Sequence, residues 1–168
     1  VTLTINADTT GRTNNGISVD GGISGASVII GAGVTVSVTN NQAIDGTGST
    51  NLTVINSGTL RAVAKTIELE GSASGAVITK KFWGTITAAN NAIKTENNSS
   101  KITVNKSGVI SSTSIGHAIA TATGTDSGMV INNFSTGVIV KTSTADAAQE
   151  TIELGDSGTI TNSGQIRN

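Results

Sequence analysis

The aromatic side chains of this sequence are few and lie near lysines. Aromatic residues make up 2% of the chain, and its one tryptophan, Trp83, follows Lys80, Lys81 and Phe82. Phe134 falls in an equivalent turn two repeats later, as the repeat pattern below shows. An exposed aromatic ring beside a lysine can stack on a sugar or anchor a protein partner. We therefore take Lys80, Lys81, Phe82, Trp83 and Phe134 as the candidate binding surface; alternatively, the rings cover a corner of the fold.

Several carboxylates are spaced so that a repeating fold would bring them together. Glu70 and Glu96 occupy the same position in successive repeats, with Glu68 and Lys94 beside them on one outward face. Two neighbouring carboxylates can share a proton, hold a cation or act as an acid and base pair, as in polysaccharide-cleaving β-helices. The alternative, which we favour, is a solvated charge ladder in which Lys94 offsets the glutamates.

The remaining candidates for chemistry are sparse. His117 is the single histidine and the chain has no cysteine, so the sequence predicts no metal site and no cofactor. No serine, threonine or lysine is singled out as a nucleophile with an oriented base. We interpret His117 as a turn residue and predict that the chain is not an enzyme.

Three rows of short, β-branched segments recur along the chain and would position these residues. The first row starts at Leu3, Val28, Leu52, Val77, Ile102, Val130 and Thr159, at intervals of 25, 24, 25, 25, 28 and 29 residues. The second row starts with Gly33, Gly58, Gly84, Gly108, Gly137 and Gly164, usually followed two residues later by leucine or isoleucine. The third row is centred on Ile17, Ile44, Ile67, Ile93, Ile119 and Ile152. Such units cannot bury an apolar face alone and must stack on one another.

The rows predict one all-β domain over residues 1–168: a right-handed, single-stranded parallel β-helix, or β-solenoid, of about six coils of 24–29 residues. A left-handed solenoid would show a hexapeptide period, which is missing. Asn56, Asn133 and Asn162 precede turns; we expect solvated turn residues, with a partial asparagine ladder as the alternative. The residues that exceed the repeat in one coil lie within 141–150 and are expected to leave the rod as a loop, in which Ser143 or Thr144 could cap a single helical turn.

Composition excludes some classes of function. The net charge is −1 and the charges are scattered, so neither nucleic-acid binding nor attraction to an anionic membrane is expected. The sequence contains no apolar stretch long enough for membrane insertion. Because it starts at Val1 without a signal peptide, we expect it to be a segment of a longer surface protein.

Three segments resemble the passenger regions of bacterial autotransporter adhesins and related haemagglutinin-like surface proteins. They are VINSGTL at 54–60, VNKSGVI at 104–110 and ITNSGQI at 160–166. The resemblance implies export through a Gram-negative outer membrane and display at the cell surface, for adhesion to host or matrix glycans or proteins, or for biofilm formation. Two alternatives stay open: a filament or surface-layer subunit that joins copies of itself through coil ends or lateral faces, and a polysaccharide-processing enzyme.

Overall fold

The computed structural model describes residues 1–81, 83–95, 103–106 (backbone only), 108–121, 128–143, 149–155 and 157–168. These residues contain twenty short strands and no helix. The first sheet consists of β1 (Thr2–Ile5), β4 (Ser27–Ile30), β7 (Thr53–Asn56), β10 (Val77–Lys80), β13 (Thr103–Lys106), β16 (Val130–Asn133) and β19 (Thr159–Asn162). The second consists of β2 (Thr9–Arg12), β5 (Thr35–Val38), β8 (Thr59–Ala62), β11 (Thr85–Ala88), β14 (Val109–Ser112), β17 (Val138–Lys141) and β20 (Gln165–Arg167). The third consists of β3 (Ile17–Ser18), β6 (Ile44–Asp45), β9 (Ile67–Leu69), β12 (Ile93–Thr95), β15 (Ile119–Thr121) and β18 (Ile152–Glu153).

Each coil of the chain contributes one strand to each sheet, and every strand pairs in parallel with its counterpart in the next coil. We number the coils from one (β1 to β3) to six (β16 to β18). This arrangement confirms the predicted all-β parallel solenoid. The number of coils differs slightly from the prediction, because the six strands of the third sheet are separated by about five turns of the chain.

The third row of the sequence repeat is confirmed residue by residue, because its isoleucines are direct register partners. The first row needs correction, because Leu3 and Val28 align with Val54, Ile78, Ile131 and Ile160. Leu52 comes two residues before its aligned position, and Val77, Val130 and Thr159 come one residue before theirs. In the second row, the residue aligned with Gly58 is Val34 and not Gly33, since Val34 comes directly before the strand residue Thr35. β-branched residues fit both faces of a strand, so composition alone did not determine which of two neighbours points inward.

The core is a set of apolar columns that run the length of the solenoid. On the second sheet the inward column contains Val36, Leu60, Ile86, Ile110 and Ile139, all with no measurable exposure. The third sheet contributes Ile44, Ile67, Ile93 and Ile119, which are equally buried. Each such side chain stabilises the fold by about 1.5–3 kcal/mol relative to an exposed one.

The corner between the first and second sheets leaves little space inside. A Cβ atom at Gly58 would overlap the carbonyl oxygens of Gly31 and Val34 in the preceding coil. We therefore expect Gly58→Ala to lower the free energy of unfolding by about 2 kcal/mol, measured by urea denaturation. Ser57→Ala in the same turn is the control and should leave the midpoint unchanged. Equal midpoints for both variants would show that this corner is looser than the structure indicates.

The expected loop at 141–150 begins later than the sequence suggested. Lys141 is a register partner of Ser112 inside β17 and is 1% exposed, so it belongs to the solenoid wall. The next residue, Thr142, still donates its backbone N–H to the Ser112 carbonyl at 2.9 Å. The expected helical turn would fall on residues 144–148, which lie outside the described residues.

Candidate functional site

The corner between the first and second sheets, here called the first corner, alternates in length from coil two onward. Four residues join the two strands in coils two, four and six, whereas two residues join them in coils three and five and after β19. The flanking strands keep the same register throughout. Because the strand ends stay aligned, the two extra residues of every second coil must project from the surface.

Trp83 lies in the projecting turn of coil four, in a backbone conformation that favours glycine. Gly84 donates its N–H to the Lys81 carbonyl at 3.1 Å and closes the turn, and Trp83 has a φ of 44°. The equivalent turn of coil two has Gly33 at this place, with a φ of 76°. A residue with a Cβ pays about 1–2 kcal/mol for the left-handed conformation. The side chain is nevertheless 86% exposed.

Phe134 occupies the projecting turn of coil six. It is 53% exposed, and its carbonyl accepts the N–H of Gly137 at 2.7 Å, the same turn closure as in coil four. The prediction that Phe134 falls in an equivalent turn two coils after Trp83 is therefore confirmed. Lys81 is exposed at the start of its turn, and Phe82 lies outside the described residues. We call Lys81, Trp83 and Phe134 the aromatic ridge.

Lys80 does not belong to the exposed surface in which the sequence analysis placed it. Lys80 is the last residue of β10, is 1% exposed and points into the solenoid. Like Ile78 two residues earlier, it is on the inward face of the strand, and its register partner is the buried Asn56. Its Nζ donates to the Lys81 carbonyl at 2.9 Å. Burial lowers the pKa of Lys80 to about 8, because desolvation disfavours the charged amine. The strand alternation contained this signal, since Lys80 is two residues after a buried isoleucine.

Two of the three asparagines at the first corner, Asn56 and Asn133, are buried, which corrects our preferred interpretation for them, whereas Asn162 is exposed, as expected. Asn56 is fully buried; its Nδ2 donates to the Thr85 carbonyl at 2.9 Å and its Oδ1 accepts the Gly58 N–H at 3.0 Å. Asn133 is 2% exposed, and its Nδ2 donates to Asn162 Oδ1 at 2.7 Å. The asparagine ladder is thus partial, and it satisfies backbone groups that the tight turns would otherwise bury without partners.

The charged residues that follow the third-row isoleucines lie in register, as predicted for Glu68 and Lys94, but Glu68 is buried and not solvated. Asp45, Glu68, Lys94, Ala120 and Glu153 follow one another in register. Glu68 is 2% exposed; it forms an ion pair with Lys65 and accepts a hydrogen bond from Gln42 of the preceding coil. Sequence reasoning missed Lys65 and Gln42, although their common position just before the third row could have indicated a polar column beside the acids.

The proposed glutamate pair is only half described. Glu70 Oε1 lies 3.5 Å from Lys65 Nζ, in a partly exposed ion pair. Glu96 lies outside the described residues, so the predicted proximity of Glu70 and Glu96 stays a prediction. Glu70, the described member of the pair, forms an ion pair with Lys65, and such a contact is typical of a structural role.

His117 is a buried bridge between coils and not a turn filler. The residue is 7% exposed, and its backbone N–H donates to Asn91 Oδ1 of the preceding coil at 2.7 Å. On the other side, its Nδ1 lies 2.8 Å from the Glu150 carbonyl and its Nε2 lies 3.4 Å from Glu153 Oε2. Because Glu150 and Glu153 belong to coil six, these contacts join coil six to coil five through His117. Among the described residues, no group of three or more histidine, aspartate or glutamate side chains is arranged to hold a metal ion.

No protein-family model, curated protein or solved structure matches this chain. The resemblance to autotransporter adhesins therefore stays a prediction. Within the described ranges, no helix has the length and apolar character needed to cross a membrane.

The second sheet has a shallow depression where it meets the next corner. Its volume is about 260 Å³, and it is lined by Thr59, Arg61, Ala62, Val63, Thr87, Ala88, Ala89 and Thr113. Arg61 is the charged residue of this lining, which includes neither a carboxylate nor an aromatic ring. The lining offers threonine hydroxyls and one guanidinium group, which suit weak binding better than acid and base catalysis.

Proposed function

We propose that this chain is an extracellular adhesive and structural module of a bacterial surface protein, with the aromatic ridge as its contact surface. The observation that supports this proposal is the exposure of Trp83. This large aromatic side chain is 86% exposed, at a turn position that Gly33 occupies in coil two. The resemblance to autotransporter passengers supports display at a Gram-negative surface. The module contributes length and stiffness, and the ridge contributes adhesion.

The exposure of Trp83 argues for binding rather than for covering a corner. A ring that served the fold would bury most of its area, since burial is the source of its stabilising effect. Here the fold tolerates a left-handed backbone for a side chain that is 86% exposed. Backbone strain of this kind is characteristic of functional positions.

The solenoid supplies the rigidity that a binding surface on turns requires. The turns of the ridge are held between strands that pair on both sides, as in coil four, where β10 and β11 each have two neighbours. Residues on loops that a rigid framework positions are the usual carriers of recognition. The described carboxylate Glu68 and the buried His117 are instead used to join coils, which favours an adhesive role over an enzymatic one.

The substitution Trp83→Gly separates the binding role from a structural one. We expect adhesion to fall at least about tenfold, because exposed aromatic anchors dominate contact energies. The free energy of unfolding should stay unchanged or rise by up to about 1 kcal/mol, because glycine accepts the positive φ without strain. Adhesion would be measured with beads that carry the chain on cell and matrix surfaces, and stability by thermal unfolding.

The control is Ile115→Ala, which removes a 58% exposed apolar side chain away from the first corner. It should change neither adhesion nor stability. If Trp83→Gly adheres normally and melts at a lower temperature, the tryptophan is a corner filler and the proposed contact surface is wrong.

A further inference from the structure

We propose that the aromatic ridge binds a neutral, linear, β-linked polysaccharide that runs parallel to the solenoid axis, with Trp83 and Phe134 under alternate sugar rings. This inference rests on the proposed adhesive function and adds the class of ligand to it. The observation that supports it is the alternating turn length at the first corner. Adhesion by itself would not require this alternation.

The spacing of the ridge fits such a chain. Trp83 and Phe134 lie on projecting turns two coils apart, and the shorter turn of coil five lies between them. At about 4.8 Å per coil, the two turns are separated by about 10 Å along the axis. In an extended β-linked chain successive rings are turned over, so every second ring presents the same face at a repeat of comparable length. Two aromatic side chains can then contact the first and third rings, and the second ring spans the gap above coil five.

The surroundings of the ridge favour a neutral ligand. The described outward positions of the first sheet, which lead into the ridge, carry no charge: Thr2, Thr4, Ser27, Ile29, Thr53, Ile55, Val77, Thr79, Val130, Asn132, Thr159 and Thr161. Hydroxyl and amide groups of this kind suit sugar hydroxyls, and the aliphatic groups suit the apolar faces of the rings. Among the described residues of the ridge, Lys81 is the one cation, whereas a polyanionic chain would be matched by a row of them.

The single tryptophan makes the test direct, since its fluorescence reports contact at Trp83 alone. The 168-residue chain would be titrated with β-1,4-linked glucose oligomers from the disaccharide to the hexasaccharide. We expect affinity to rise roughly fivefold to tenfold between the disaccharide and the trisaccharide, where a third ring reaches the second aromatic group. Phe134→Ala should abolish this step, so that the trisaccharide binds no more tightly than the disaccharide.

A rescue experiment tests the spacing itself. Ala32 lies in the projecting turn of coil two, as far from coil four on one side as Phe134 is on the other, and it is exposed. In the Phe134→Ala background, Ala32→Phe should restore the length-dependent step. Ser57→Phe, which places the ring in the shorter turn one coil from Trp83, should not restore it.

The outcomes separate the two proposals. If Trp83→Gly abolishes adhesion and the wild type shows no length-dependent step, the polysaccharide inference is wrong and the adhesive function stands. Tighter binding of α-1,4-linked glucose oligomers or of oligogalacturonate would also overturn the inference. If Trp83→Gly leaves adhesion intact, the proposed function fails, and the inference fails with it.

Discussion

Replacing Ile86 with aspartate is expected to unfold the solenoid, whereas the same replacement at the neighbouring Thr85 is expected to leave it folded. Ile86 is fully buried and lies between Leu60 and Ile110 in register. A carboxylate at this position would have no cation or hydrogen-bond donor among these apolar partners. The loss should exceed about 4 kcal/mol, which is comparable with the whole stability of an ordinary domain.

Thr85 is the matched control, because it is on the same strand and its side chain points outward. Circular dichroism during thermal unfolding would compare the two variants with the wild type. Loss of the β-sheet spectrum in Ile86→Asp, together with a melting temperature near that of the wild type in Thr85→Asp, is the expected result. If both variants melt alike, the inward and outward faces of the second sheet have been assigned incorrectly.

The fold was predictable from the sequence because its repeat is long and its third row is nearly invariant in type. Ile44, Ile67 and Ile93 are each flanked on both sides by polar or small residues, so their register was unambiguous. The first row was harder, because segments such as residues 52–55 contain several β-branched or aliphatic residues in succession. The residue that points inward there depends on how the preceding turn ends, and turn length varies from coil to coil.

The candidate site was predictable in part, for the same reason. Trp83 and Phe134 were identified because rare aromatic residues in turns are conspicuous in any repeat. Lys80 was misplaced because lysine is seldom buried, and that general preference outweighed its position two residues after Ile78. The alternating length of the first corner can also be counted in the sequence, as gaps of four and two residues between the strands of the first and second rows. The count requires the correct register of the first row, which the sequence analysis did not have.

Replacing Lys80 with methionine is expected to stabilise the fold at neutral pH. The amine is buried in the first corner, and desolvation lowers its pKa from 10.5 to about 8. This difference between the folded and unfolded pKa corresponds to a cost of about 3 kcal/mol whenever the folded protein must hold the charge. Methionine fills a similar volume without a charge. The Lys81 carbonyl that Lys80 contacts keeps a partner, because it also accepts the N–H of Gly84.

The pH dependence of the effect gives its sharpest check. Below about pH 8 the amine is protonated in both states, so the folded state bears the full cost. Between about 8 and 10.5 the unfolded state binds the proton and the folded state does not, so wild-type stability rises with pH. The advantage of Lys80→Met should therefore be largest near pH 7 and shrink as the pH approaches 10.5. Urea unfolding at several pH values would measure it, with Lys81→Met at the exposed neighbouring lysine as the control. A difference between Lys80→Met and wild type that does not change with pH would mean that the Lys80 amine reaches solvent, and that the first corner is open enough to admit water.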